Sequence, residues 1–143
     1  MIEGYKISSN KADMDFSTIH SFLYSSYWAK GIPKETLQAA IENSLCFGVF
    51  TNSGNQVGFA RVVTDFATFG YLADVFILES YRGKGLSKWL MEVIFAHPKL
   101  QNFRRFTLAT RDAHGLYRKF GFKELAYPET FMENWAPNVY QNA

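Results

Sequence analysis

The run Arg82-Gly83-Lys84-Gly85-Leu86-Ser87 sits between an apolar stretch, ADVFIL, and an amphipathic one, LSKWLMEVIF. A glycine-rich turn from a strand into a helix leaves several backbone N–H groups without intrahelical acceptors, and the helix start adds partial positive charge. Glycines at 83 and 85 remove Cβ atoms that would hold phosphate oxygens off the backbone. Arg82 and Lys84 add full charges. The pattern predicts a polyphosphate-binding turn; the alternative is an ordinary tight turn. It is not either of two familiar nucleotide motifs. Lys84 is followed by Gly85 where a Walker loop needs Ser or Thr, and Lys88 stands where G-x-G-x-x-G needs its third glycine. His20, His97, His114 and Cys46 lack metal-ligand spacing, so no metal is expected. No G-x-S-x-G elbow is present for hydrolase chemistry.

The elements that must hold this turn follow from hydrophobic period. GYKIS reads as an edge strand. Asp13 or Asp15 can cap a first helix carrying Phe16, Ile19, His20 and Leu23, and Pro33 suits the start of a second with Leu37, Ala40 and Ile41 on one face. LCFGVFT, QVGFARVVTD and TFGYLADVFIL form an expected antiparallel meander, with Asn52-Ser53-Gly54-Asn55 as its first hairpin turn. Leu86, Trp89, Leu90, Val93 and Ile94 return to helical spacing, which Pro98 ends. RRFTLAT is another strand, and Asp112 can cap a fourth helix that Gly121 terminates. FKELAYPETFMEN offers one or two short final strands. The class is mixed α/β (α+β).

Charge is distributed unevenly. Residues 82–123 carry 10 Lys/Arg against Glu92 and Asp112, whereas residues 124–143 carry three acids and no base. A local excess of this kind attracts an anion, either a phosphorylated cofactor or nucleic acid. Aromatic residues reach 17%, enough to line a pocket as well as fill a core. One cysteine excludes an internal disulfide. The first residues, MIEGYKISSNKADMD, lack the apolar run of a secretory signal, and no stretch approaches the ~20 apolar residues of a membrane span. A soluble, cytoplasmic protein without a membrane partner is the expectation.

Arg82-Gly83-Lys84-Gly85-Leu86-Ser87 resembles the acetyl-CoA loop Q/R-x-x-G-x-G/A of the GNAT superfamily, with Ser87 at the position usually held by Gly or Ala. Ala113-His114-Gly115-Leu116-Tyr117-Arg118-Lys119-Phe120-Gly121-Phe122 is similar to that family's A-x-x-L-Y-x-x-x-G-F helix. Thr110 stands where the family often has Asn. The resemblance covers roughly residues 45–125, and it implies a single acetyltransferase-like domain over 1–143. It also implies a GNAT-like mixed, mostly antiparallel sheet flanked by helices, with a V-shaped split between two parallel central strands, here YLADVFIL and RRFTLAT.

What the resemblance implies for chemistry is direct transfer, within a ternary complex, of an acetyl group from acetyl-CoA to a primary amine of a small molecule or peptide. Backbone groups of Val75, Phe76 and Ile77 would pair with the pantetheine arm. Arg82, Gly83, Lys84, Gly85, Leu86 and Ser87 would hold the pyrophosphate, with Thr110 as a further contact. An N–H near Phe76 would stabilise the oxyanion. Tyr117 would protonate the leaving thiolate, unless it is a core aromatic with its hydroxyl tied to backbone. Asp74 is the candidate base; a charge pair with Arg61, available in one of two registers, is its alternative. Tyr27 and Trp28 would wall the acceptor pocket, or else pack onto the sheet. The resemblance also admits a homodimer. Two other function classes compete: a non-catalytic acyl-CoA sensor on the same fold, and a nucleic-acid binder using Phe103-Arg104-Arg105-Phe106. We expect that run to be a half-buried strand, with no nucleic-acid partner.

Overall fold

The computed structural model describes residues 1–142. Its strands are β1 (Tyr5–Ser8), β2 (Leu45–Thr51), β3 (Gln56–Thr64), β4 (Phe69–Ile77) and β5 (Arg105–Leu108). Its helices are α1 (Phe16–Tyr24), α2 (Lys34–Glu42), α3 (Leu86–Ala96) and α4 (His114–Arg118). The sheet runs in the order β1-β2-β3-β4-β5. The first four strands are antiparallel, and β5 joins β4 in parallel after the α3 crossover. The fold is therefore mixed α/β, with the meander, the crossover and the helices where hydrophobic period puts them.

Each sheet face has its own core. Leu86, Leu90, Met91 and Ile94 of α3 pack with Phe47, Val49, Val62 and Leu72. Ile19 and Leu23 of α1 and Leu37 and Ile41 of α2 pack with Cys46, Phe59 and Phe76 on the other face. Asp15 starts α1 by accepting the Thr18 N–H. Truncating one fully buried leucine such as Leu90 would cost about 2–5 kcal/mol, most of a small domain's margin.

One irregularity shapes the sheet. Phe59 faces Phe76, but Arg61 faces Ala73, so Asp74 and Val75 together oppose Ala60. Asp74 takes the left-handed conformation (φ 56°) that this β-bulge requires. The extra residue bends β4, and the parallel pairing with β5 stops at Leu72↔Leu108, just before the bulge. β5 itself ends at Leu108, so β4 beyond Leu72 has no partner on that side, at the place where the V-shaped split is expected.

The final strands do not form. Residues 122–127 are irregular, Pro128–Thr130 make a single 3-10 turn, and 131–136 have no strand partner. Pro128 removes a ladder donor and fixes its own φ, so a strand through it is interrupted. As a result β5 is the outer strand of the sheet rather than an inner one. Asp112 does not cap α4. The Ala113 N–H instead donates to Thr110 Oγ1 at 3.0 Å.

Candidate active site

The glycine turn leaves β4 through a 3-10 turn at Glu79–Tyr81 and enters α3 at Gly85. Gly83 (φ 79°) and Gly85 (φ 82°) both occupy the left-handed region, so the turn needs glycine for its backbone as well as for access. A Cβ on Gly83 would meet nothing within 4 Å, and one on Gly85 only Ile2 Cδ1 at 3.5 Å. The turn is open, not packed beneath other segments. No side chain caps α3. Among the described residues, none of the N–H groups of residues 83–88 meets a protein acceptor. Six successive donors at a helix start, with Lys84 and Lys88 exposed beside them, are a ready anion site.

The side chains of the turn divide their tasks. Leu86 is buried and anchors α3, so only its backbone is available. Ser87 is half-buried. Arg82 folds back, its Nε donating to the Ile77 carbonyl at 2.9 Å. That carbonyl is thus engaged within the chain, while the edge of β4 over residues 73–76 faces the split without a β5 partner. Phe76 is buried and Val75 half-buried in that stretch.

Asp74 is buried, and both its oxygens are engaged. Arg61 Nε donates to Oδ2 at 2.6 Å and Trp28 Nε1 donates to Oδ1 at 2.8 Å. The pairing register is thus the one that allows the Arg61 charge pair. Arg61 Nη1 also reaches Ser44 Oγ at 3.1 Å, which links the end of α2 to the bulge.

Tyr27 is 52% exposed and Trp28 41%, so neither is packed away onto the sheet. Their rings meet edge-to-face at 5.0 Å. Phe22 completes the wall, tilted against Trp28 at 6.2 Å and stacked on Phe76 at 4.0 Å. Its place three residues after Ile19 is the signal that could have found it. The Arg111 guanidinium lies 3.8 Å over the Tyr27 ring, bringing the chain after β5 to the same wall. A depression of about 560 Å³ between α1 and Leu78, bordered by Ser17, Thr18, Ser21 and Phe22, opens nearby.

Tyr117 on α4 is 8% exposed, and among the described residues its hydroxyl has no protein hydrogen-bond partner. Burial pushes that hydroxyl up to about 12, with smaller contributions from Tyr27 and Asp112. It keeps its proton at neutral pH and is free to donate it. Thr110 Oγ1 accepts from Ala113 and so sets the start of α4 beneath Tyr117. His20 does not face the site freely; its Nε2 bonds the Ile32 carbonyl at 2.9 Å. Among the described residues no group of three or more His, Cys, Asp or Glu could hold a metal, and no helix is long and apolar enough to cross a membrane.

Comparison with known proteins agrees with this geometry. Residues 42–124 match the family described as acetyltransferase (GNAT) domain. A candidate acetyltransferase from Gibberella zeae is 31% identical, covering 84% of this chain and 80% of that protein. The crystal structure of a candidate GNAT acetyltransferase from Xanthomonas campestris is 48% identical and superposes with a TM-score of 0.94, covering 98% and 99% of the two chains. An acetyltransferase structure from Clostridium acetobutylicum with acetyl-CoA, at 17% identity and a TM-score of 0.64 over 91% of this chain and 94% of that one, shares the fold.

Proposed function

The chain belongs to the GNAT acetyltransferase family, and on that premise we propose that it transfers an acetyl group from acetyl-CoA to a primary amine of a small molecule or peptide. The observation that carries this reading is the run of unpartnered N–H groups over residues 83–88, standing at the end of β4 beyond the point where β4 loses its β5 partner. A diphosphate satisfies such a run at no reorganisation cost. Acetyl-CoA, when bound, supplies the thioester carbonyl that the acceptor nitrogen attacks. The edge of β4 without a β5 partner, around Val75 to Ile77, offers strand-like hydrogen bonds to an extended amide arm, and an N–H near Phe76 that points away from β3 is the donor for the carbonyl oxygen. Tyr117 holds a proton at its hydroxyl and gives it to the departing sulfur. Phe22, Tyr27 and Trp28 bound the acceptor's side.

Asp74 takes a different role from that of a base. With Arg61 on one oxygen and Trp28 on the other, it positions the aromatic wall at the bulge. The test of the whole reading is release of free thiol when acetyl-CoA is offered with a panel of amines. Thiol release that depends on amine and falls on Tyr117→Phe supports transfer. Thermal stabilisation by acetyl-CoA with no thiol released on any amine supports the sensor reading instead.

A further inference from the structure

We propose that the acceptor amine also carries a carboxylate, and that the Arg111 guanidinium binds it beside the aromatic wall. Arg111 follows β5 and lies 3.8 Å over the Tyr27 ring. It is exposed, and among the described residues its side chain has neither a hydrogen-bond acceptor nor an ion-pair partner. The ring supports the cation by its face, so the planar fork keeps its N–H donors for another group. A fork held flat and unpaired is preorganised for the two oxygens of a carboxylate.

Tyr27 is what places this charge at the acceptor. Its ring meets Trp28 edge-to-face at 5.0 Å, and Trp28 bonds Asp74 at the bulge of β4. Tyr27 also lies close enough to Tyr117 to help keep the proton on that hydroxyl. Arg111 therefore belongs to the acceptor wall, whereas the coenzyme's anion site is the glycine turn at the start of α3. The carboxylates around the wall offer little to a purely cationic acceptor. Asp74 is taken by Arg61 and Trp28, and both oxygens of Asp15 are taken by Thr18. Asp112 is the exception. It is exposed, it is not ion-paired with its neighbour Arg111, and its charge bears on the Tyr117 hydroxyl. An acceptor with an ammonium and a carboxylate meets a counter-charge for each. A diamine would instead set a second cation against Arg111.

The inference rests on the acetyl-transfer reading, and its test separates the two. Thiol release is measured with acetyl-CoA and three series of matched chain length: ω-amino carboxylates, their methyl esters and the corresponding diamines. The native chain should favour the carboxylate over its ester about 10-fold or more in kcat/KM, a difference of about 1.4 kcal/mol, and should use the diamine least. Arg111→Ala should bring the carboxylate-to-ester ratio close to one by raising KM for the carboxylate. Tyr27→Leu, which takes away the ring beneath the guanidinium, should lower the ratio in part, and Tyr27→Phe should keep it. Each ratio is internal to one variant, so a general loss of folded protein does not mimic the effect. A native preference for the ester or the diamine overturns carboxylate recognition and leaves acetyl transfer standing. So does a carboxylate preference that survives Arg111→Ala, or thiol release confined to amines outside the three series. Thiol release from no amine at all overturns the acetyl-transfer reading and this inference with it.

Discussion

Replacing Asp74 by Asn keeps the side chain's size and removes its charge. Arg61 Nε lies 2.6 Å from Oδ2, with side-chain exposures of 18% and 7% for the pair. Breaking a buried ion pair from one side costs about 3–5 kcal/mol. Arg61 keeps Ser44 Oγ and some solvent, so we expect the low end, about 3 kcal/mol. In a chain of this size that lowers Tm by roughly 6–12 °C. Trp28 also loses a charged acceptor, a bond of about 1.5–3 kcal/mol, which loosens the wall bounding the amine. In steady-state assays the KM for the amine should rise roughly 10-fold, with kcat and the KM for acetyl-CoA little changed. A double-mutant cycle with Trp28→Phe should return a coupling energy of about 1.5 kcal/mol or more. The reasoning fails if Asp74→Asn leaves Tm unmoved. It also fails if kcat collapses and the acid limb of its pH profile disappears, for then Asp74 is the base after all.

Tyr117→Phe should lower kcat roughly 100-fold or more while leaving the Kd of acetyl-CoA unchanged by calorimetry. Because the Tyr117 hydroxyl is raised to about 12 against about 10 in an unfolded chain, its contribution to stability is complete below pH 10 and is lost between pH 10 and 12. Denaturation midpoints over that window should fall less steeply in Tyr117→Phe. Gly83→Ala should cost about 1 kcal/mol in urea titrations, since φ 79° is strained for alanine, whereas Gly115→Ala, in an ordinary helical conformation with open space around it, should gain about 0.5–1 kcal/mol. Burial pushes the Cys46 thiol up to about 11, so it should resist aromatic disulfide reagents near about pH 8 in the native chain and react after unfolding.

The α3 stripe and the meander were legible because their apolar positions recur with one clean period. The turn at Gly83 and Gly85 was legible because glycine and charge at those spacings have few other uses. The bulge was not legible. Alternation through ADVFIL continues smoothly, and only pairing with β3 shows that Asp74 and Val75 share one partner. Asp74 therefore read either as a base beside a cleft or as the partner of Arg61, and the register set by the bulge decides for Arg61, with Trp28 on the other oxygen. FKELAYPETFMEN has the composition of a strand but lacks a partner within the chain, and composition alone does not supply one. Asp112 is the better capping type, yet Thr110 sits at the right distance from Ala113. Local geometry decided what residue preference left open.

The claim that most needs testing is that the amides of the turn after β4 grip a diphosphate. Amide NMR of the labelled chain titrated with acetyl-CoA measures it residue by residue. Saturable shifts concentrated on Gly83 through Lys88, reproduced by CoA and absent with acetate, are the predicted result. Resonances of those residues that stay in place while the coenzyme binds elsewhere, or does not bind, would contradict it.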